Sequence, residues 1–220
     1  MDRRAFVKGC VFGVGLICEA RRVEAALPAE YPRVALADAA GAPLRPSALA
    51  PHEAYCFFYP YVSTPCLLLD MEAPVPPALP APGDTRPGGV GPRASIVGYT
   101  AICSDQLSHP NAGFSPIHYL APGQRDALVR DRDRLIVCCA HSSAFDPAAG
   151  GRVAQSPARL PLASIVLEWN AASDALFATA VRGPDSFERF FTAFDRERTL
   201  VAGPARVVPL SAYSRKVATC

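Results

Sequence analysis

The 220-residue chain is nearly devoid of lysine, with only Lys8 and Lys216 among its 22 basic residues. The remaining arginines form no cluster, and the formal net charge is only +2. That balance argues against a groove for nucleic acid and against a surface built for anionic membranes. Also missing are G-x-S-x-G, a phosphate-binding glycine loop and an H-E-x-x-H helix, which removes the common hydrolase, nucleotide-enzyme and metalloprotease signatures. No apolar run approaches the roughly 20 residues needed to cross a bilayer. No internal repeat marks a solenoid or propeller. Chemistry on a substrate would therefore belong to a partner.

The N-terminus carries the first positive signal. Asp2-Arg3-Arg4-Ala5-Phe6-Val7-Lys8 resembles the twin-arginine export signature, and the weakly apolar GCVFGVGLIC follows it. Val23-Glu24-Ala25 places small residues at the minus-three and minus-one positions of a cleavage site. Residues 1–25 read as a twin-arginine signal peptide, so the expected location is the periplasm; an uncleaved anchor stays open. Cys10 and Cys18 fit a lipid-attachment motif poorly, since Lys8 and Ile17 intrude. The twin-arginine route carries folded proteins. It favours cargo whose thiolates must meet a metal before they reach an oxidising compartment.

After the signal the chain reads as all-β. Runs at 33–38, 54–61, 65–71, 95–103, 134–139, 163–170 and 175–183 are short, rich in β-branched and aromatic residues, and separated by Pro and Gly turns. They predict an antiparallel sandwich or small barrel spanning 27–185. Residues 73–93 are so rich in proline and glycine that a long surface loop is expected, and a second loop is expected over about 104–131. In SFERFFTAFDRE, Phe187, Phe190, Phe191 and Phe194 share one helical face, with Asp185 or Ser186 as cap. Residues 186–220 thus form a C-terminal helix and tail, the tail adding an edge strand or covering a partner surface.

Eight cysteines less Cys10 and Cys18 leave six. Cys56 and Cys66, in adjacent strand-like runs, read as core residues or as a pair. Cys103 opens CSDQLSHP (103–110), and Cys138 opens CCAHSSAFD (138–146). Here Cys138, His141, Ser143, Phe145 and Asp146, followed by Gly151, Val153, Pro157 and Ala158, fall in the order of a C-x-x-H-G-S-x-F/Y-D loop, a G-x-V turn and a proline loop. The sequence therefore resembles the Rieske [2Fe–2S] family. Val90-Gly91-Pro92 before SIVGYTAIC is similar to the small Rieske subunit of arsenite oxidase. The similarity runs from about Tyr31 to Gly183, and arsenite itself is not assigned as a substrate.

The resemblance implies a [2Fe–2S] cofactor with Cys103 and Cys138 on an inner iron and His141 on an outer one. It implies a cluster-binding subdomain built on loops 103–110 and 138–146. Ser143 matches a serine that donates to a bridging sulfide, and Phe145 stands where high-potential members have tyrosine. The inter-loop disulfide of such members falls on Ser108 and Ala140, so neither half is present. The second histidine falls on Asp105. Three readings stay open: Asp105 as a carboxylate ligand, His109 brought in by a rearranged loop, or no cluster at all. His52 reads as solvated, His118 as structural, Trp169 as core, Cys139 as a buried free thiol and Asp146 as support for the loop turn. The implied function is electron transfer as a subunit of a periplasmic oxidoreductase, between a catalytic subunit and a cytochrome or similar carrier. The alternative is a cluster-free structural or docking subunit.

Overall fold

The computed structural model describes residues 29–184 and 186–220. The expected signal peptide (1–25) and Asp185, one of the two cap candidates, lie outside the described residues. Each of the seven strand-like runs forms a strand: β1 (Ala29–Ala37), β2 (Ala54–Phe58), β3 (Pro65–Asp70), β6 (Ile96–Thr100), β8 (Leu135–Cys138), β11 (Ser164–Asn170) and β12 (Ala175–Arg182). Between them stand β4 (Ala78–Ala81), β5 (Asp84–Arg86), β7 (Ile117–Leu120), β9 (Ser143–Asp146) and β10 (Arg152–Gln155). The C-terminal part adds α1 (Phe187–Phe194), β13 (Ala205–Arg206), β14 (Val208–Pro209) and α2 (Leu210–Tyr213). No helix among the described residues is long and apolar enough to cross a membrane.

An eight-stranded sheet runs β13-β1-β12-β11-β6-β3-β2-β14, and a four-stranded antiparallel sheet runs β10-β9-β8-β7. The large sheet ends on β13, which pairs parallel with β1, and on β14, which pairs antiparallel with β2. Only Val207 separates these two edge strands, so residues 205–209 bring the opposite edges together and nearly close a barrel. The tail thus supplies the expected edge strand, and it does so at both edges. Joining the edges protects backbone groups that an open sheet would expose.

Side-chain alternation divides the core into two compartments. Phe57, Cys66, Leu68 and Ile96 face the barrel interior, while Cys56, Leu67, Leu69, Val97 and Tyr99 face the smaller sheet. Strands β2, β3 and β6 form the wall between the compartments. This explains why PCLLLD, buried at every position, shows no polar alternation. Cys56 and Cys66 lie on opposite faces of that wall, which rules out the pairing left open above; both are free and buried. Burial pushes the Cys56 thiol up to about 12, so it behaves as a core side chain.

Two expected loops contain structure. Residues 73–93 hold the β4–β5 hairpin, whose end is fixed by Arg86. The Arg86 side chain is fully buried; its Nε and Nη2 donate to Asp84 at 2.5 and 2.6 Å, and Nη1 donates to Leu162 O and Ser164 Oγ at 2.8 and 2.9 Å. Gly183, at φ +114°, packs directly on this guanidinium, where a Cβ would stand 2.0 Å from Nη2. Composition hides this, because one charged residue with four acceptors outweighs the breaking tendency of its Pro and Gly neighbours. The second loop holds β7, which pairs with β8 along its length.

Helix α1 buries Phe187, Phe190 and Phe191 on the barrel, where Tyr61 meets Phe187 and Phe191 edge-to-face. Ser186 occupies the cap position without a side-chain cap bond. Trp169 is half-buried at the edge of the core rather than within it, and its Nε1 donates to Asp174.

Candidate metal centre

The first loop leaves β6 and folds back on itself: Cys103 N–H donates to Ser108 O at 2.9 Å, and Leu107 N–H donates to Cys103 O at 3.0 Å. Leu107, at φ +57°, makes this reversal. The second loop is the turn of the β8–β9 hairpin. Cys138 pairs with Ser143, residues Cys139–His141 form one 3₁₀ turn, and Ser142 reverses the chain in the left-handed region. Cys138 thereby ends a buried strand while His141 projects from the turn toward the surface. Asp146 supports the following turn as expected, accepting from Ala148 N–H at 3.0 Å, and it also pairs with Arg132 at 3.1 Å.

The loops bring Cys103 and Cys138 into side-chain contact, both fully buried and neither in a disulfide. Their thiol groups interact directly. Backbone N–H groups of Asp105 and Gln106 point at one sulfur, and those of Ala140 and His141 at the other. Donation from the Cys138 thiol, aided by the loop amides, pulls Cys103 down to about 6, while Cys138 is pushed up because it keeps the shared proton. Sulfurs surrounded by amide donors favour thiolate, the form that binds metal.

At the outer side of the same loops, His141 Nδ1 stands 2.5 Å from Asp105 Oδ2. The nitrogen is buried and its contact lacks the directionality of a hydrogen bond. Two potential ligand atoms thus converge without satisfying one another. Their side chains remain 35% and 31% exposed, so this end of the site reaches solvent while the thiol end does not. Thiols within, imidazole and carboxylate without, and an orphaned buried Nδ1 between them fit the donor set of a two-iron centre. Among the described residues, the one group of three His, Cys or acidic ligand atoms within 4.8 Å lies elsewhere. The four residues therefore form two pairs rather than the compact cage of a single ion.

His109 is not brought to this point. Its Nδ1 binds Leu107 O at 2.9 Å, its Nε2 faces Arg196 at 3.4 Å, and its ring sits edge-to-face on Phe190 and Phe194. Burial and the neighbouring guanidinium keep its pKa low, opposed by the Leu107 carbonyl. Ser143 Oγ accepts from Ala158 N–H at 3.0 Å and donates to His141 O at 3.2 Å, so here it joins the proline loop to the second loop. The expected donation to a sulfide would require that hydroxyl to turn.

The region after Gly183 also holds the site, which the motif gave no means of foreseeing. Arg189 of α1 donates to Ser104 O and Asp105 O at 3.4 and 3.1 Å, gripping the first loop. Cys139 is not a free thiol: it forms a disulfide with Cys220, with Cα atoms 5.4 Å apart, tying the second loop to the last residue of the chain. No disulfide joins the two loops to each other, and the C-terminal region holds each of them in addition. His118 is buried beside that disulfide, with Nδ1 3.8 Å from Cys139 Sγ and Nε2 3.3 Å from Asp126 Oδ2. Burial lowers its pKa, opposed by Asp126. His118, Cys139 and Cys220 form the group of three just mentioned, atom types that can ligate a metal. His52 is half-buried rather than solvated, its ring stacked on Tyr119 with Nδ1 3.2 Å from the phenol oxygen.

No protein-family model matches the chain. Among solved structures it is similar to the soluble domain of the Rieske protein II from Sulfolobus acidocaldarius, with a TM-score of 0.52 and 17% identity. The match covers 80% of this chain and 96% of that one. The fold is thus Rieske-type: a mostly antiparallel, nearly closed barrel with a smaller sheet and a short C-terminal helix.

Proposed function

We propose that this chain is an exported Rieske-type electron-transfer subunit whose [2Fe–2S] cluster is held by Cys103, Cys138, His141 and Asp105. The observation that carries this reading is the two-ended site, with contacting buried thiols inside and the unsatisfied His141 Nδ1 converging on Asp105 outside. A cluster bound there supplies one-electron transfer at a potential set by its ligands. The chain's own residues bury the sulfur end and leave the edge of His141 for a redox partner to approach. The twin-arginine pattern supports periplasmic action, between a catalytic oxidoreductase subunit and a cytochrome or similar carrier. The Gly91–Pro92 turn leading to β6 supports kinship with the small subunit type of arsenite oxidase, without assigning arsenite. The placement of His109 against α1 favours Asp105 as the fourth ligand.

The test is iron and sulfide analysis with electron paramagnetic resonance of the reduced protein, produced in a host that assembles such clusters. A colourless, iron-free product would leave the scaffold reading instead. The ligand assignment has its own outcome. A carboxylate brings a negative charge where imidazole is neutral, which disfavours the reduced state. Asp105→His should therefore raise the reduction potential by on the order of 100 mV, and His109→Ala should leave it unchanged. A potential that follows His109 and ignores Asp105 would move the ligand to the histidine.

A further inference from the structure

The corner formed by His118, Asp126, Cys139 and Cys220 supplies no ligand to the site proposed above. The Asp126 carboxylate is fully engaged: Oδ1 accepts from Leu128 N–H at 2.8 Å, and Oδ2 accepts from Cys220 N–H at 3.0 Å while facing His118 Nε2 at 3.3 Å. A carboxylate at that nitrogen places the imidazole proton on Nε2 and leaves Nδ1 as a bare lone pair. That lone pair points at Cys139 Sγ, 3.8 Å away, in a side chain only 10% exposed. A disulfide sulfur has no proton to offer it. The result is a buried acceptor, oriented from behind by a carboxylate, aimed at two sulfurs.

We infer that reduction of the Cys139–Cys220 disulfide turns this corner into a binding site for a thiophilic d¹⁰ cation such as zinc. Cys139, Cys220 and His118 Nδ1 are its ligands, and Asp126 is the residue that orients the histidine. The S–S bond breaks by taking two electrons and two protons from a dithiol reductant, which itself becomes a disulfide. The two resulting thiols release their protons as the cation binds. The three donor atoms already lie within 4.8 Å of one another. A tetrahedral zinc, with bonds of about 2.3 Å to sulfur and 2.0 Å to nitrogen, needs donors roughly 3.5–4 Å apart, a small adjustment for the exposed Cys220. Two thiolates and a neutral imidazole balance the dication, and water supplies the fourth position. A disulfide oxidant takes two electrons from the two thiolates and becomes a dithiol with two protons from water, which joins the sulfurs and expels the ion. Ion and disulfide are thus mutually exclusive ways of tying Cys220 to the second loop.

This inference does not depend on what Cys103 and Cys138 hold, and its test separates the two sites. The full chain is reduced with a phosphine and freed of reductant without air, then titrated with cadmium ions. Sulfur-to-cadmium charge-transfer absorption and metal analysis report the binding. Any cadmium taken by Cys103 and Cys138 is common to all samples. Reduced protein should bind one equivalent more than the oxidised protein and more than a Cys139→Ser/Cys220→Ser variant, and reoxidation should release it. If that variant does not fold, the oxidised protein is the reference. Asp126→Asn should weaken the extra equivalent by about 10–100-fold, with His118→Gln weakening it as well. Equal binding before and after reduction overturns the inference. So does an extra equivalent indifferent to both His118 and Asp126.

Discussion

Cys138→Ala should be purified without iron, while Cys66→Ala made in parallel should retain its full complement. Both residues are free and fully buried, so the comparison holds burial constant and varies only position in the fold. Cys66 faces the barrel interior, where its Sγ contacts Tyr59 O. Cys138 meets Cys103 and receives the amides of Ala140 and His141. Losing one of two thiolates leaves an inner iron half-ligated, so the loss of iron should be nearly complete rather than graded. Removing a sulfur from a packed core costs on the order of 1–2 kcal/mol, against about 5–15 kcal/mol for a typical domain. The far-ultraviolet circular dichroism of both variants should therefore remain native. Equal iron loss in the two variants would mean that iron follows general packing, and the ligand role of Cys138 would fail. Intact assembly with partners and intact activity in the Cys138→Ala variant would favour the scaffold reading.

Arg86→Ala should lower stability by about 3 kcal/mol, the lower end of the cost of breaking a buried ion pair. The substitution removes four hydrogen bonds at once and leaves Leu162 O and Ser164 Oγ without their donor. Asp84 is 20% exposed on its side chain, so water recovers part of its solvation; this keeps the cost from the upper end of the range. Arg86→Lys should recover only a fraction, since an ammonium lacks the planar fork that grips both oxygens of Asp84. The measurement is the urea unfolding midpoint at unchanged slope. A shift worth less than about 1 kcal/mol would show that the hairpin stands without its arginine.

Several features were legible from residue order because they are local. Short runs rich in β-branched and aromatic residues between Pro and Gly turns marked seven strands correctly, and four phenylalanines at helical spacing marked α1. The Cys138-x-x-His141 spacing places one residue at the end of a strand and the other across a single 3₁₀ turn, and that geometry is fixed within the hairpin. Asp105 could be named as a candidate from its place two residues after Cys103. Composition misled where one long-range contact outweighed it: residues 73–93 contain a hairpin because Arg86 reaches β11, and the supposed loop at 104–131 contains β7 because β8 offers it a partner. Strand alternation turns Cys139 away from Cys138, so that locally Cys139 reads as a buried free thiol. Its true partner lies 81 residues away, a separation that no local pattern encodes.

By itself, then, the sequence determined the all-β class, the two loops, and the sulfur and nitrogen atoms that are candidates for ligands, because each rests on spacing within one strand, turn or helix. Tertiary structure alone decided that residues 205–209 draw the sheet edges together, that His109 packs into α1 rather than toward the site, and that Asp105 meets His141. It also decided that Arg189 and the Cys139–Cys220 bond hold the two loops from the C-terminal side. These outcomes depend on which surfaces meet once the chain has closed on itself, and a burial or a contact between distant residues leaves no period in the sequence to read.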